Sequence, residues 1–158
     1  MGKYAEKAVA LFKEGYNCSQ SVFGAFAEDY DLDQDLAMRI AASFGGGMGR
    51  MREVCGAVSG MFLVAGLETG ATVGSDREQK AENYAEVQAL ADRFRTQNGS
   101  IICRELLGLN KAGESESGGS DQSHVPEERT DAYYKKRPCA KLVKCAAEIL
   151  EKRYKSTI

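Results

Sequence analysis

Hydrophobic residues recur at helical spacing along almost the whole chain. Residues 3–14 set Ala5, Ala8, Val9 and Phe12 on one face, and Gly15 stops the run. Asn17 has the character of an N-cap for a second helix, in which Cys18, Val22, Ala25 and Phe26 recur at i, i+4, i+7 and i+8. Asp33 can cap a third, with Leu36, Ala37, Ile40, Ala41 and Phe44 as its apolar stripe. A glycine loop follows, Gly45-Gly46-Gly47-Met48-Gly49. A fourth helix, about 54–67, is apolar around its whole circumference, the pattern of a helix surrounded by its neighbours. A fifth, about 76–97, is long and amphipathic, with Tyr84, Val87, Ala91 and Phe94 on one face and Asn98-Gly99 at its end. A short helix then runs from about Ser100 or Cys103 to Leu107. Residues 110–130, rich in Gly, Ser, Glu and Asp, read as a flexible polar loop. A last helix, about 131–154, buries Val143, Ala146, Ala147, Leu150 and Tyr154. No segment alternates with period two. The expected fold is all-α, a compact multi-helix bundle around a buried, glycine-containing central helix, and one helical domain over residues 1–158.

Composition narrows the function classes more than it alters this picture. The hydrophobic fraction is 43%, the charged fraction 28% and the net charge −2, with Lys and Arg spread along the chain, so no concentrated basic face marks a nucleic-acid partner. The short run Lys135-Lys136-Arg137 reads as a solvated flank. Residues 1–15 carry Lys3, Glu6, Lys7, Lys13 and Glu14 and lack the apolar core of a signal peptide. The most apolar stretch, Val54 to Leu67, is interrupted by Gly56, Ser59, Gly60 and Gly66 and is too short to span a bilayer. The expectation is a cytoplasmic protein without membrane insertion. In a reducing cytosol its five cysteines point to catalysis, metal binding or packing rather than to a disulfide framework.

Four of those cysteines share a local context. Cys18 follows the N-cap Asn17, Cys55 opens the buried helix, Cys103 follows Asn98-Gly99-Ser100, and Cys139 follows Pro138, a residue favoured in the first turn of a helix. Each is expected at or near a helix N-terminus, where free N–H groups and the helix dipole favour a thiolate, the form that attacks electrophiles and binds metals. Arg50 and Arg52 are candidates for lowering the pKa of Cys55. Cys145 lies six residues after Cys139, on a different helical face, and reads as filler. Gly56 and Gly60, one turn apart, leave room for close approach of another helix or of a cofactor. The glycine loop is neither a P-loop nor a dinucleotide fingerprint, so no nucleotide is expected, and it reads as a connector that positions Cys55. His124, the only histidine, reads as an exposed loop residue.

Taken together, Asn17-Cys18-Ser19-Gln20, the run Gly45 to Gly49 leading into Cys55-Gly56-Ala57-Val58-Ser59-Gly60, Cys103-Arg104-Glu105-Leu106-Leu107-Gly108 and Cys139 resemble the C-GCAxxG-C-C family of redox-active proteins, from about Tyr4 to Leu150. The resemblance maps the family's four cysteines onto Cys18, Cys55, Cys103 and Cys139 and leaves Cys145 outside the pattern. It implies redox activity without a settled substrate. A similar module occurs in split-Soret cytochromes together with an iron–sulfur site, whereas the lack of C-x-x-C-H excludes covalent haem of the c type here. Three readings follow. In the leading one, the four cysteines hold an iron–sulfur cluster or another thiophilic metal for electron transfer or redox sensing. In the second, a thiol–disulfide oxidoreductase uses the same cysteines without metal. In the third, a helical interaction module merely packs them. An unidentified redox partner is expected, and the apolar, glycine-rich helix faces suit a homodimer.

Overall fold

The computed structural model describes residues 2–109 and 123–155, and among these the regular structure is helical. Helix α1 spans Lys3–Lys13, α2 Cys18–Ala27, α3 Gln34–Ala41, α4 the short turn Gly45–Met48, α5 Gly56–Thr69, α6 Arg77–Asn98, α7 Cys103–Leu106, α8 Asp131–Lys136 and α9 Cys139–Leu150, followed by a π-turn over Glu151–Lys155. The expected all-α bundle is what the chain forms. Helix α5 is its centre, with Ala57, Val58, Met61, Val64 and Ala65 fully buried against residues of α2, α6 and α9. No described helix is long and apolar enough to cross a membrane.

Local sequence signals set most helix ends. Asn17 accepts the Gln20 N–H at 2.9 Å while the Gln20 side chain accepts the Asn17 N–H at 3.1 Å, a reciprocal capping box that starts α2 at Cys18. The same asparagine donates from Nδ2 to the Ala42 carbonyl at 3.0 Å. Asn17→Ala is therefore expected to cost about 1–2 kcal/mol in urea denaturation, and an unchanged midpoint would show that water replaces the cap. Asp33 caps α3 through the Leu36 N–H, and Gly99, at φ +88°, closes α6.

Three expectations change. The stripe assigned to α3 is rotated: Leu36 and Ile40 are exposed, and Ala37, Met38 and Ala41 face inward. The reason is local fit, because Met38 fills the space above Gly24, where a Cβ would lie 2.6 Å from Met38 Cε. Tyr84 of α6 stands in solvent, since the partner helices α5 and α9 cover only Leu90, Ala91 and Phe94 fully. The last helix, expected to be continuous over about 131–154, breaks at Arg137-Pro138. Proline has no N–H to give and disfavours helical geometry in the residue before it, and Arg137 accordingly has extended backbone (φ −102°, ψ 132°). That break makes Cys139 the first residue of a new helix. Of the polar stretch 110–130, residues 110–122 lie outside the described residues, and 123–130 form an irregular strap that leads into α8.

Candidate redox site

The four cysteines sit where helices begin. Cys18, Cys103 and Cys139 are the first residues of α2, α7 and α9, and Cys55 is the N-cap of α5. All four line one cavity of about 270 Å³. Backbone pairing brings two of them side by side. Val54 and Ile102 form an isolated antiparallel bridge, the Cys55 N–H donates to the Ile101 carbonyl at 2.8 Å, and the Cys103 N–H donates to the Glu53 carbonyl at 2.6 Å. The missing side chain of Gly56 lets α5 approach α2, since a Cβ there would lie 3.2 Å from the Cys18 Cβ. Cys145 is elsewhere, its sulfur donating to Gln97 Oε1 at 3.2 Å and accepting from Asn98 Nδ2 at 3.4 Å.

The glycine loop is a tightly turned connector. Gly46, Gly47, Met48, Gly49 and Arg50 all have φ between +59° and +72°, a turn of left-handed helix, and Arg52 at +63° continues the trend. Left-handed geometry costs an L-residue roughly 1–2 kcal/mol, which explains the glycines and makes Met48, Arg50 and Arg52 locally strained. At Gly47 no other residue fits, because a Cβ would lie 2.6 Å from the Cys103 Cβ and 2.8 Å from the Glu53 backbone nitrogen. The turn aims Arg52, a candidate for influencing Cys55, at Cys103 instead, with Nη1 3.7 Å from the sulfur. Arg50 instead donates to the Ser123 and Val125 carbonyls and so ties the strap to the turn.

Electrostatics separates the four thiols. Burial pushes the Cys55 thiol up to about 12 even though the N–H groups of Ala57 and Val58 favour its thiolate. Burial also raises Cys103 against the pull of Arg52. A hydrogen bond to Cys139, reinforced by burial, raises Cys18 far above the usual thiol range. Only Cys139 goes down, to about 7, because the Cys18 thiol donates to its thiolate, with Arg137, Arg52 and Arg129 contributing further against the opposing effect of burial. Of the four helix-start thiols, only Cys139 is shifted toward the thiolate. A helix terminus supplies at most about 2 kcal/mol, whereas full burial shifts a pKa by as much as about 3–5 units.

Several site residues escaped the sequence reading. Arg137, taken for a solvated flank, is buried, lines the cavity and binds Glu127 at 2.6 Å. Arg129 also lines it, donating at 2.9 Å to both the Phe12 and Tyr16 carbonyls and stacking 4.2 Å above the Phe12 ring. A usable signal was present in Arg137-Pro138-Cys139, an arginine directly before a helix-start cysteine, but none marked Arg129. His124 is exposed, as expected, at the cavity's edge. Gly56 lines the cavity, whereas Gly60 is not part of its wall: a Cβ at Gly60 would lie 2.9 Å from Val22 Cβ, so its smallness serves helix packing.

The donor type suits a thiophilic metal, but sharing a cavity does not bring the four sulfurs to one point. Among the described residues no three histidine, cysteine or carboxylate side chains group closely enough to hold a metal ion.

An all-helical framework that gathers four cysteines around one arginine-rich cavity defines a helical thiol protein. The sequence signature of the family described as "Putative redox-active protein (C_GCAxxG_C_C)" matches residues 16–153, and the chain belongs to that family. A relative from Archaeoglobus fulgidus, described as an uncharacterized protein, is 30% identical over 111 residues, covering 66% of this chain and 74% of its own. No solved structure matches.

Proposed function

We propose that the protein is a thiol–disulfide redox protein in which Cys139 is the attacking thiolate and Cys18 the resolving thiol. The observation that carries this reading is the placement of Cys18 and Cys139 at the starts of the packed helices α2 and α9, on the wall of one cavity, where each shifts the other: Cys139 is pulled down to about 7 and Cys18 raised. The Cys139 thiolate attacks one sulfur of a substrate disulfide, the substrate S–S bond breaks, and one substrate thiolate leaves. Cys18 gives its proton to that thiolate and attacks the Cys139 sulfur, expelling the second substrate thiolate. The chain loses two electrons as a Cys18–Cys139 disulfide forms, and the substrate disulfide gains them. An external dithiol restores the reduced pair by the reverse exchange.

Equilibration in a graded dithiol–disulfide buffer, followed by peptide mapping, is expected to give one reversible two-electron transition confined to Cys18 and Cys139. A bridge between other cysteines, or no bridge under oxidising conditions, would overturn the assignment. Alkylation of Cys139 is expected to accelerate as pH rises, with its midpoint near 7, because only the thiolate reacts and the acid form dominates below that point.

A second reading, an iron–sulfur cluster or other thiophilic metal held by Cys18, Cys55, Cys103 and Cys139, rests on the shared cavity that all four line. Anaerobic reconstitution with iron and sulfide separates the two. Stoichiometric iron with visible absorbance that is lost in Cys55→Ser and Cys103→Ser supports the cluster. Colourless protein with an intact Cys18–Cys139 transition supports the dithiol.

A further inference from the structure

We infer that the substrate of this site is a free low-molecular-weight disulfide, and that the strap over residues 123–130 keeps out disulfides carried by folded proteins. The inference rests on the thiol–disulfide reading and adds the substrate class to it. Of the four cysteines on the cavity wall, Cys139 is half-buried, and Cys18, Cys55 and Cys103 are buried. The attacking thiol is thus the most accessible of the four, yet it opens on a confined space. The cavity measures about 270 Å³, below the usual range of drug-sized sites at about 300–1,000 Å³. The strap supplies one side of it through His124, Pro126, Glu127 and Arg129.

The strap is pinned at three points. Arg50 donates to the Ser123 and Val125 carbonyls, Glu127 binds Arg137 at 2.6 Å, and Arg129 donates at 2.9 Å to both the Phe12 and Tyr16 carbonyls. Thiol–disulfide exchange is an in-line displacement, so the departing sulfur lies on the far side of the one attacked. With Cys139 on the cavity wall, both substrate sulfurs and the carbons beside them have to enter the cavity. A protein disulfide brings two backbone segments with it, because its Cα atoms lie only about 4.4–6.8 Å apart. That bulk does not fit beside a pinned strap. A free disulfide with short arms does fit, and Phe12, Leu106 and Leu142 on the other walls suit its methylene groups. The reaction is the exchange already described. The Cys139 sulfur bonds to one half of the small disulfide, and the other half leaves as a thiolate and takes the Cys18 proton. Cys18 then attacks the Cys139 sulfur and expels the first half.

Disulfides of increasing bulk test the inference on the full-length reduced chain at pH 7: bis(2-hydroxyethyl) disulfide, a short peptide cyclised by one disulfide, and folded insulin. Loss of the free Cys139 thiol is followed by alkylation and mass mapping. Each rate is divided by that of the same disulfide with dithiothreitol, which removes differences in intrinsic reactivity. The expected normalised order is small reagent, cyclic peptide, insulin. The small reagent is expected on the order of a hundredfold above insulin, since access to the sulfur enters the exchange rate directly. Arg129→Gln removes one of the pins and is expected to shrink that ratio severalfold, and the ratio cancels any common change in Cys139 reactivity. Equal normalised rates, or a preference for insulin, would overturn the small-disulfide inference and leave thiol exchange standing. Failure of Cys139 to react with any of the three would overturn the thiol–disulfide reading as well. A ratio unchanged in Arg129→Gln would overturn the strap's part in the exclusion. The size comparison is read on the unmodified chain, so it holds even if the variant does not fold.

Discussion

Cys139→Ser is expected to slow alkylation of the folded protein at pH 7 by about fiftyfold. At that pH a thiol with its pKa near 7 is about half ionised, whereas one at or above 9 is about 1% ionised or less. The other four thiols are all pushed upward, Cys55, Cys103 and Cys145 chiefly by burial and Cys18 chiefly by its hydrogen bond to Cys139. Cys139→Ser removes the main cause that raises Cys18, but burial still holds that thiol up, so no second thiol takes over the reaction. Stopped-flow alkylation with a small neutral reagent measures this directly, and a rate within twofold of the parent would place the reactive thiol elsewhere. Cys18→Ala gives the complementary result. Without the donor at residue 18 the Cys139 midpoint moves above 7, whereas Cys18→Ser, which keeps an O–H, holds it lower. A midpoint identical in the two variants would leave the arginines as the cause and remove Cys18 from the pair.

The largest expected effect on stability is at Gly47. Alanine there would occupy backbone at φ +72° and place its Cβ 2.6 Å from the Cys103 Cβ, 2.8 Å from Glu53 N and 2.9 Å from Arg52 Cα. Two of those neighbours are backbone and cannot swing aside. Left-handed strain of about 1–2 kcal/mol and overpacking of about 1–3 kcal/mol together predict a loss of about 2–5 kcal/mol. For a chain of this size that is a fall in Tm of roughly 10 °C. Gly66→Ala provides the control. It lies in α5 with nothing within 4 Å of its added Cβ, so alanine's better helix propensity is expected to stabilise by about 0.5–1 kcal/mol. A Gly47→Ala protein as stable as the parent would mean that the left-handed turn opens freely. Its Cys103 environment would then change without penalty.

The helical class, the capping at Asn17 and Asp33 and the stop at Asn98-Gly99 were legible in the chain because each depends on residues within about one turn of one another. The same holds for the placement of Cys18, Cys55, Cys103 and Cys139 at helix starts. Pro138 showed its local meaning only partly: its favoured place in a first turn was read, while its power to break the expected 131–154 helix was not. Errors arose where burial depends on the partner. Leu36, Ile40 and Tyr84 have the right spacing for a core face, yet among the described residues no neighbouring helix covers them.

Four helix-start cysteines could thus be read from the sequence, together with the separation of Cys145 from them. Their inequality could not. Three arginines that reach Cys139, Arg52, Arg129 and Arg137, come from a left-handed turn, the end of a strap and a helix break far apart in the chain. Burial and charge, the two quantities that set a thiol's pKa, are properties of assembled surroundings. Local pattern therefore determined where the sulfurs begin their helices, and tertiary packing decided which one of them is shifted toward the thiolate.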